Sequence, residues 1–212
     1  MKNILCYGDS LTWGYSAEGP GRHAYADRWP SVLAAELGSG ALVIAEGLNG
    51  RTTAHDDHLA DCDRNGARVL PTILQTHAPL DLVIIMLGAN DMKPFICGRA
   101  IGAKQGMQRL ADIVRGHAYP HDARAPKLLI VSPPPLTPTE DADFDAMFDG
   151  GVAESRKLAK LYAEVAEEKG CGFFDAGSIA RTTPLDGVHL DAENTRAIGR
   201  ALAPVVRKVL EL

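Results

Sequence analysis

A serine hydroxyl is a poor nucleophile until a base takes its proton, and a histidine is the usual base. The chain offers Ser10 in the run Gly8-Asp9-Ser10-Leu11, and His189 in the run Asp186-Gly187-Val188-His189. A neutral imidazole needs its second nitrogen held by an acceptor, and Asp186 stands three residues before His189. Attack of the serine on an ester creates an oxyanion that needs fixed donors. The backbone N–H of Ser10, the N–H of Gly50 and the side-chain amide of Asn90 are the candidates. A glycine at position 50 leaves nothing on Cα to obstruct close approach of a ligand. These residues are far apart along the chain, so the reading requires elements that bring them to one place.

Those elements are legible as alternating short apolar runs and longer helical patterns. Candidate strands are Lys2–Tyr7, Ala41–Ala45, Leu82–Leu87, Lys127–Ser132 and Gly172–Phe174. Candidate helices fall near Arg28–Leu37, Ala67–Thr76, Ile101–Gly116, Val152–Lys169 and Ala192–Leu210. Leu158, Leu161, Tyr162 and Val165 recur at i, i+3, i+4 and i+7, which marks one buried stripe. Pro71 and Pro204 fall inside helical patterns, where a kink or a shifted boundary is expected. The runs Val83–Leu87 and Leu128–Val131 are apolar without alternation, the pattern of a parallel sheet covered on both faces. The expected fold is α/β: a three-layer α/β/α sandwich on a five-stranded parallel sheet, flavodoxin-like in strand order, as one domain over residues 1–212. In such a sheet ligands bind at the carboxyl ends of the strands. Ser10, Gly50, Asn90 and the Asp186–His189 segment each follow a candidate strand, so one sheet edge would gather all of them.

Composition narrows the function classes. The net charge is −5 without a basic block, which argues against nucleic acid as a partner. No stretch approaches the roughly 18–20 apolar residues a membrane span needs. Cys6, Cys62, Cys97 and Cys171 form no C-x-x-C pair and no zinc-ligand spacing, so a reducing cytoplasm is the expected compartment. The cluster His55-Asp56-Asp57-His58 with Asp61 and Cys62 invites a metal reading, but its spacing matches no defined motif, and no metal or cofactor is expected. His23, His77, His117 and His121 have no acid at suggestive spacing.

Four blocks, Gly8-Asp9-Ser10-Leu11, Gly47–Gly50, Gly88-Ala89-Asn90-Asp91 and Asp186–His189, resemble those of the SGNH (GDSL) hydrolases in order and approximate spacing. Leu11-Thr12-Trp13-Gly14, Glu46–Thr53 and Val131-Ser132-Pro133-Pro134-Pro135 look more like the bacterial arylesterase and acyltransferase branch. The resemblance implies Ser10 as nucleophile, Asp186 and His189 completing a triad, and Gly50 and Asn90 as oxyanion donors. It also implies activity on short-chain acyl esters, aryl, alkyl or acetyl-carbohydrate, with acyl transfer or perhydrolysis as the alternative, and a homo-oligomer, an octamer in related enzymes. Asn49-Gly50 stands where such acyltransferases often carry Ser-Ala.

Around this centre, Asp9, Leu11, Trp13, Asn49, Phe95 and Val188 are the expected substrate contacts. Trp13, Phe95 and Ile96 read equally as packing side chains. Arg51 reads as a partner for an acid near the site or as a surface residue. Two long irregular segments, Gly14–Asp27 and Pro133–Gly150, exceed the usual loop length. The second carries Phe144, Met147 and Phe148, which suit a loop packed over the pocket or against another subunit. The competing reading is a nucleotide- or flavin-binding module, and it lacks both glycine-rich phosphate motifs after the first strand.

Overall fold

A computed structural model describes residues 1–19, 21–120 and 123–212; His121 lies outside the described residues. Five parallel strands form one sheet: β1 (Lys2–Gly8), β2 (Ala41–Gly47), β3 (Leu82–Met86), β4 (Lys127–Ser132) and β5 (Gly172–Asp175). Their spatial order is β2-β1-β3-β4-β5, as the flavodoxin-like reading expects. Helices α1 (Ser10–Trp13), α2 (Trp29–Leu37), α3 (Gly66–His77), α4 (Ala100–Gly116), α5 (Ala142–Met147), α6 (Gly151–Ser155), α7 (Leu158–Lys169) and α8 (Ala192–Leu210) connect or cover them.

The unbroken apolar strands are explained by a core on each face. Leu5, Tyr7, Val83, Ile85 and Ile130 point to one side, where Leu70 and Leu74 of α3, Met107 and Leu110 of α4, and Leu158, Tyr162 and Val165 of α7 meet them. Their strand neighbours Ile4, Cys6, Ile84, Met86, Leu129 and Val131 point to the other side, against Trp29 and Leu33 of α2 and Ile198, Leu202 and Val206 of α8. Period-two alternation therefore sends successive side chains into two different cores, and no strand position in β3 is left for water. Each such aliphatic side chain contributes about 1.5–3 kcal/mol by leaving water.

Four expectations about elements change. The helix expected over Val152–Lys169 is two, α6 and α7. The Ser155 hydroxyl accepts the N–H of Leu136 (2.9 Å) and donates to the carbonyl of Val152 (3.0 Å), so a tertiary bond competes with the helical ladder at the break. The prolines Pro71 and Pro204 move no boundary: α3 and α8 run through them. The ring of Pro204 is exposed and that of Pro71 partly so, while the stripes Leu70–Leu74 and Leu202–Val206 stay packed. The segment Pro133–Gly150 is not wholly irregular, because Asp141 caps α5 by accepting the N–H groups of Asp143 and Phe144 at 3.1 Å. Likewise a 3₁₀ turn at Tyr25–Asp27 ends the segment Gly14–Asp27. Among the described residues no helix is long and apolar enough to cross a membrane.

Candidate active site

β1 delivers Ser10. Directly after the strand, Asp9 caps the four-residue helix α1 by accepting the N–H of Leu11 at 2.9 Å, and Gly14 closes it at φ 93°. The turn is tight because β2 passes close by. A Cβ on Gly47 would sit 2.2 Å from the Trp13 nitrogen, so only glycine fits there.

The loop before α8 delivers the base. Asp186 Oδ1 accepts the N–H groups of Val188 and His189, both at 2.9 Å, while Oδ2 accepts Nδ1–H of His189 at 2.6 Å. One carboxylate thus fixes both the backbone turn and the ring. With Nδ1 committed as donor, Nε2 faces Ser10 Oγ at 2.9 Å and is free to accept its proton. Burial alone would raise the Asp186 carboxyl, but the His189 ring and the two backbone donors outweigh it and hold the group below the usual carboxylate range. The Ser–His–Asp chain is therefore assembled and largely shielded from water: Ser10, Asp186 and His189 are all buried.

β3 delivers Asn90, at the start of a 3₁₀ turn over Asn90–Met92. Its Nδ2 donates to the Arg51 carbonyl at 3.2 Å and lies 3.5 Å from Asp9 Oδ2. Gly50, at φ 81°, presents its backbone on the same side of the cleft, against the side chain of Arg64. No described residue accepts the N–H of Ser10 or of Gly50.

Behind these groups runs a buried polar layer. Burial pushes the Asp9 carboxyl up to about 7, against the Leu11 N–H and the Arg51 charge that pull it down, with Asp91 nearby adding to the rise. Asp91 is also raised, chiefly by burial; Thr53 donates to it from Oγ1 and from its N–H, and His55 Nε2 lies 3.7 Å away. Arg51 is not on the surface and pairs with no described carboxylate. Its Nη1 donates to the carbonyls of Gly8 and Glu46, and its guanidinium lies 4.1 Å over the Tyr7 ring. It ties the ends of β1 and β2 together beneath the site.

The cleft above Ser10 has a cavity volume of about 150 Å³ and is lined by Ser10, Tyr15, Asn49, Gly50, Arg64, Asn90, Lys93, Phe144, Met147, Phe148, Val188 and His189. Of the expected contacts, Asn49 and Val188 line it. Asp9 lies fully buried beneath, and Leu11 packs into the core beside α2 and α8. Trp13 carries the Arg22 guanidinium 4.2 Å over its ring, and Phe95 is 54% exposed; neither reaches the cleft. Sequence proximity to Ser10 and Asn90 misleads here, because a short helix and a 3₁₀ turn direct successive side chains to different sides. The trio Phe144, Met147 and Phe148 does cover the pocket. Tyr15, Arg64 and Lys93 line it as well and are not among the expected contacts. The signal for Tyr15 is the glycine before it, which reverses the chain; Lys93 stands three residues past Asn90, one 3₁₀ turn on.

The remaining polar clusters have ordinary partners. Asp57 and Asp61 approach Arg64, and Asp56 pairs with Arg68 and Asn65. No group of three His, Cys, Asp or Glu is placed to hold a metal among the described residues. His77, expected to lack an acid, bonds Glu46 at 2.8 Å, a contact 31 positions away. His23 bonds the Leu190 carbonyl and His117 the Gln75 side chain.

A parallel α/β sheet whose carboxyl edge carries a serine–histidine–aspartate chain has the site of a serine hydrolase, and its family and structural neighbours place it in the carboxylic ester class. The model of the GDSL-like lipase/acylhydrolase family matches residues 6–197, and the chain belongs to that family. Solved structures agree. A carbohydrate acetylesterase family member from Sinorhizobium meliloti is 68% identical over all of both chains, with a TM-score of 0.99. A native aryl esterase from M. smegmatis is 44% identical, with 99% of this chain and all of that one covered and a TM-score of 0.94. A second carbohydrate acetylesterase from S. meliloti is 41% identical at the same coverage, with a TM-score of 0.91. No match appears among curated proteins.

Proposed function

We propose that the protein hydrolyses short-chain acyl esters through an acyl-Ser10 intermediate. The observation that carries this reading is the unbroken chain Ser10 Oγ–His189 Nε2 at 2.9 Å and His189 Nδ1–Asp186 Oδ2 at 2.6 Å. Ser10 Oγ attacks the ester carbonyl as its proton passes to His189 Nε2. The imidazolium is stabilised by the Asp186 carboxylate and returns the proton to the departing alcohol oxygen. Water then attacks the acyl carbon as it gives a proton to the same nitrogen; the bond to Ser10 Oγ breaks as the imidazolium returns that proton to it, releasing the acid and restoring the serine.

The developing oxyanion is held by the N–H of Ser10, the N–H of Gly50 and Nδ2 of Asn90. The two unclaimed backbone donors and the buried amide support this assignment. The cleft volume, and the wall of Tyr15, Phe144, Met147, Phe148 and Val188, suit an acyl group of a few carbons beside a compact alcohol. Structural neighbours named as carbohydrate acetylesterases support acetyl as the preferred acyl group, and one named as an aryl esterase supports an aryl alcohol part. Acyl transfer or perhydrolysis is a second use of the same intermediate, favoured by the apolar cover of Phe144, Met147 and Phe148 that limits water. We also propose self-association, supported by the exposed apolar side chains Tyr25, Leu59, Phe95 and Ile101. A light-scattering mass equal to one chain would remove it.

The test of the reading is Ser10→Ala. It should abolish hydrolysis of p-nitrophenyl acetate and labelling by a fluorophosphonate, whereas normal turnover by the variant would end the assignment.

A further inference from the structure

The lining of the cleft is of two chemical characters, apolar and polar. Tyr15, Phe144, Met147, Phe148 and Val188 make up the first; Asn49, Arg64, Asn90 and Lys93, with the backbone of Gly50, make up the second. The hydrolytic steps above give no role to Arg64 or Lys93. Lys93 is 8% exposed, and no carboxylate or carbonyl lies within bonding distance of its ammonium among the described residues. Its nearest offsets are ring faces, Phe148 at 5.4 Å and Phe95 at 6.0 Å from Nζ. These recover only part of the cost of taking an ammonium out of water. Burial pulls Lys93 below its usual range, against the nearby Asp57 carboxylate that holds it up; Arg64 adds to the fall and Asp9 opposes it.

Arg64 is incompletely matched as well. Its contacts to Asp57 and Asp61 are long, at 3.3 and 3.4 Å, and its buried Nε has no acceptor. Two cations therefore line the cleft, and the nearest carboxylate, Asp57, bonds Arg64 and acts on Lys93 only from beyond bonding distance.

We propose that Lys93 and Arg64 form an anion subsite, so that the preferred substrates are esters carrying a carboxylate near the scissile bond, in the acyl or the alcohol part. The inference rests on the esterase reading and names its substrate class. A carboxylate seated there gives the Lys93 ammonium the partner it lacks, in surroundings where a charged hydrogen bond is stronger than in water. Lys93 is a specificity-determining residue: it faces the substrate and takes no part in proton transfer.

Two pairs of esters, each neutral against anionic, distinguish the position of the charge. p-Nitrophenyl butyrate against p-nitrophenyl hemisuccinate places it in the acyl part. Phenyl acetate against 4-acetoxybenzoate places it in the alcohol part. Lys93→Met should lower kcat/KM for the anionic member of one pair roughly ten- to a hundredfold more than for its neutral partner, the scale of one charged hydrogen bond. Lys93→Arg should restore most of the difference. Equal losses within both pairs would mean a merely structural lysine and would overturn the proposal. Calorimetry on the unaltered protein reads the subsite without turnover or a variant: benzoate should bind at least about tenfold more tightly than benzyl alcohol, and equal binding would overturn the proposal. Failure of the unaltered protein to cleave any of the four esters would instead count against the esterase reading, and the benzoate comparison would still decide the subsite.

Discussion

The ring of Tyr15 lies against that of His189, with centroids 4.1 Å apart and planes inclined by 34°. Phe144 approaches the same imidazole edge-on at 6.0 Å. Two aromatic side chains from the two long connecting segments thus hold the ring in the plane that Asp186 sets. Contacts of this kind are worth about 0.5–1.5 kcal/mol. Tyr15→Ala should therefore lower kcat roughly two- to tenfold, with Tyr15→Phe close to the unaltered protein. Steady-state kinetics on p-nitrophenyl acetate reads it; an effect of the same size in both variants would assign the loss to the hydroxyl instead.

Asp186→Asn should cost far more. The amide can no longer both accept Nδ1–H and favour the imidazolium, so kcat should fall on the order of 10⁴-fold, the loss seen where a triad aspartate is made neutral. A decrease below tenfold would show that the Asp186–His189 bond at 2.6 Å is only structural.

Asn90→Ala should lower kcat by roughly 10²–10³ with little change in KM, as removal of one oxyanion donor does. A rise in KM at constant kcat would place Asn90 in ground-state binding. Circular dichroism controls for the lost tie to the Arg51 carbonyl.

Asp9 links the site to pH through stability. Its carboxyl, raised by burial to about 7, is protonated more readily in the folded chain than in the unfolded one. Its contribution to stability is present below the unfolded carboxylate pKa of about 3.9 and is lost as pH rises through about 7. Asp9→Asn keeps a cap for Leu11 without the buried charge. The stability of the variant relative to the unaltered protein should rise between pH 4 and about 7 and level off above. Urea titrations along that range check it, and a flat difference would mean that Asp9 stays ionised throughout.

Gly47→Ala tests the packing that sets the nucleophile. The added methyl would meet the Trp13 backbone at 2.2 Å, and backbone cannot swing aside as a flexible side chain can. Overpacking of this kind costs about 1–3 kcal/mol or more. Thermal unfolding should show the loss together with a lower kcat, since α1 carries Ser10. An unchanged melting temperature would mean that α1 shifts freely against β2.

The sheet is legible in the sequence because burial on two faces writes itself locally. Val83–Met86 are apolar in succession since neighbouring residues fall into different cores, and the strand ends mark where polar side chains gather. The Asp186-x-x-His189 pair is legible for a similar reason, since its bonds close within three residues. The break between α6 and α7 is not, because it depends on a hydroxyl reaching Leu136, 19 positions away.

The lining of the cleft shows the same division. Trp13 and Phe95 are near the site in sequence yet turned from it, while Tyr15, Arg64 and Lys93 are turned into it. Side-chain direction in a short helix or a 3₁₀ turn is set by what packs against that turn, which no local pattern encodes. The sequence alone determined which chemical groups the chain carries and at which edge of the sheet they emerge. The tertiary structure alone decided that Ser10 Oγ and His189 Nε2 meet at 2.9 Å across 179 positions, and that Arg64 and Lys93 line the cleft with them, because such distances depend on how whole layers pack.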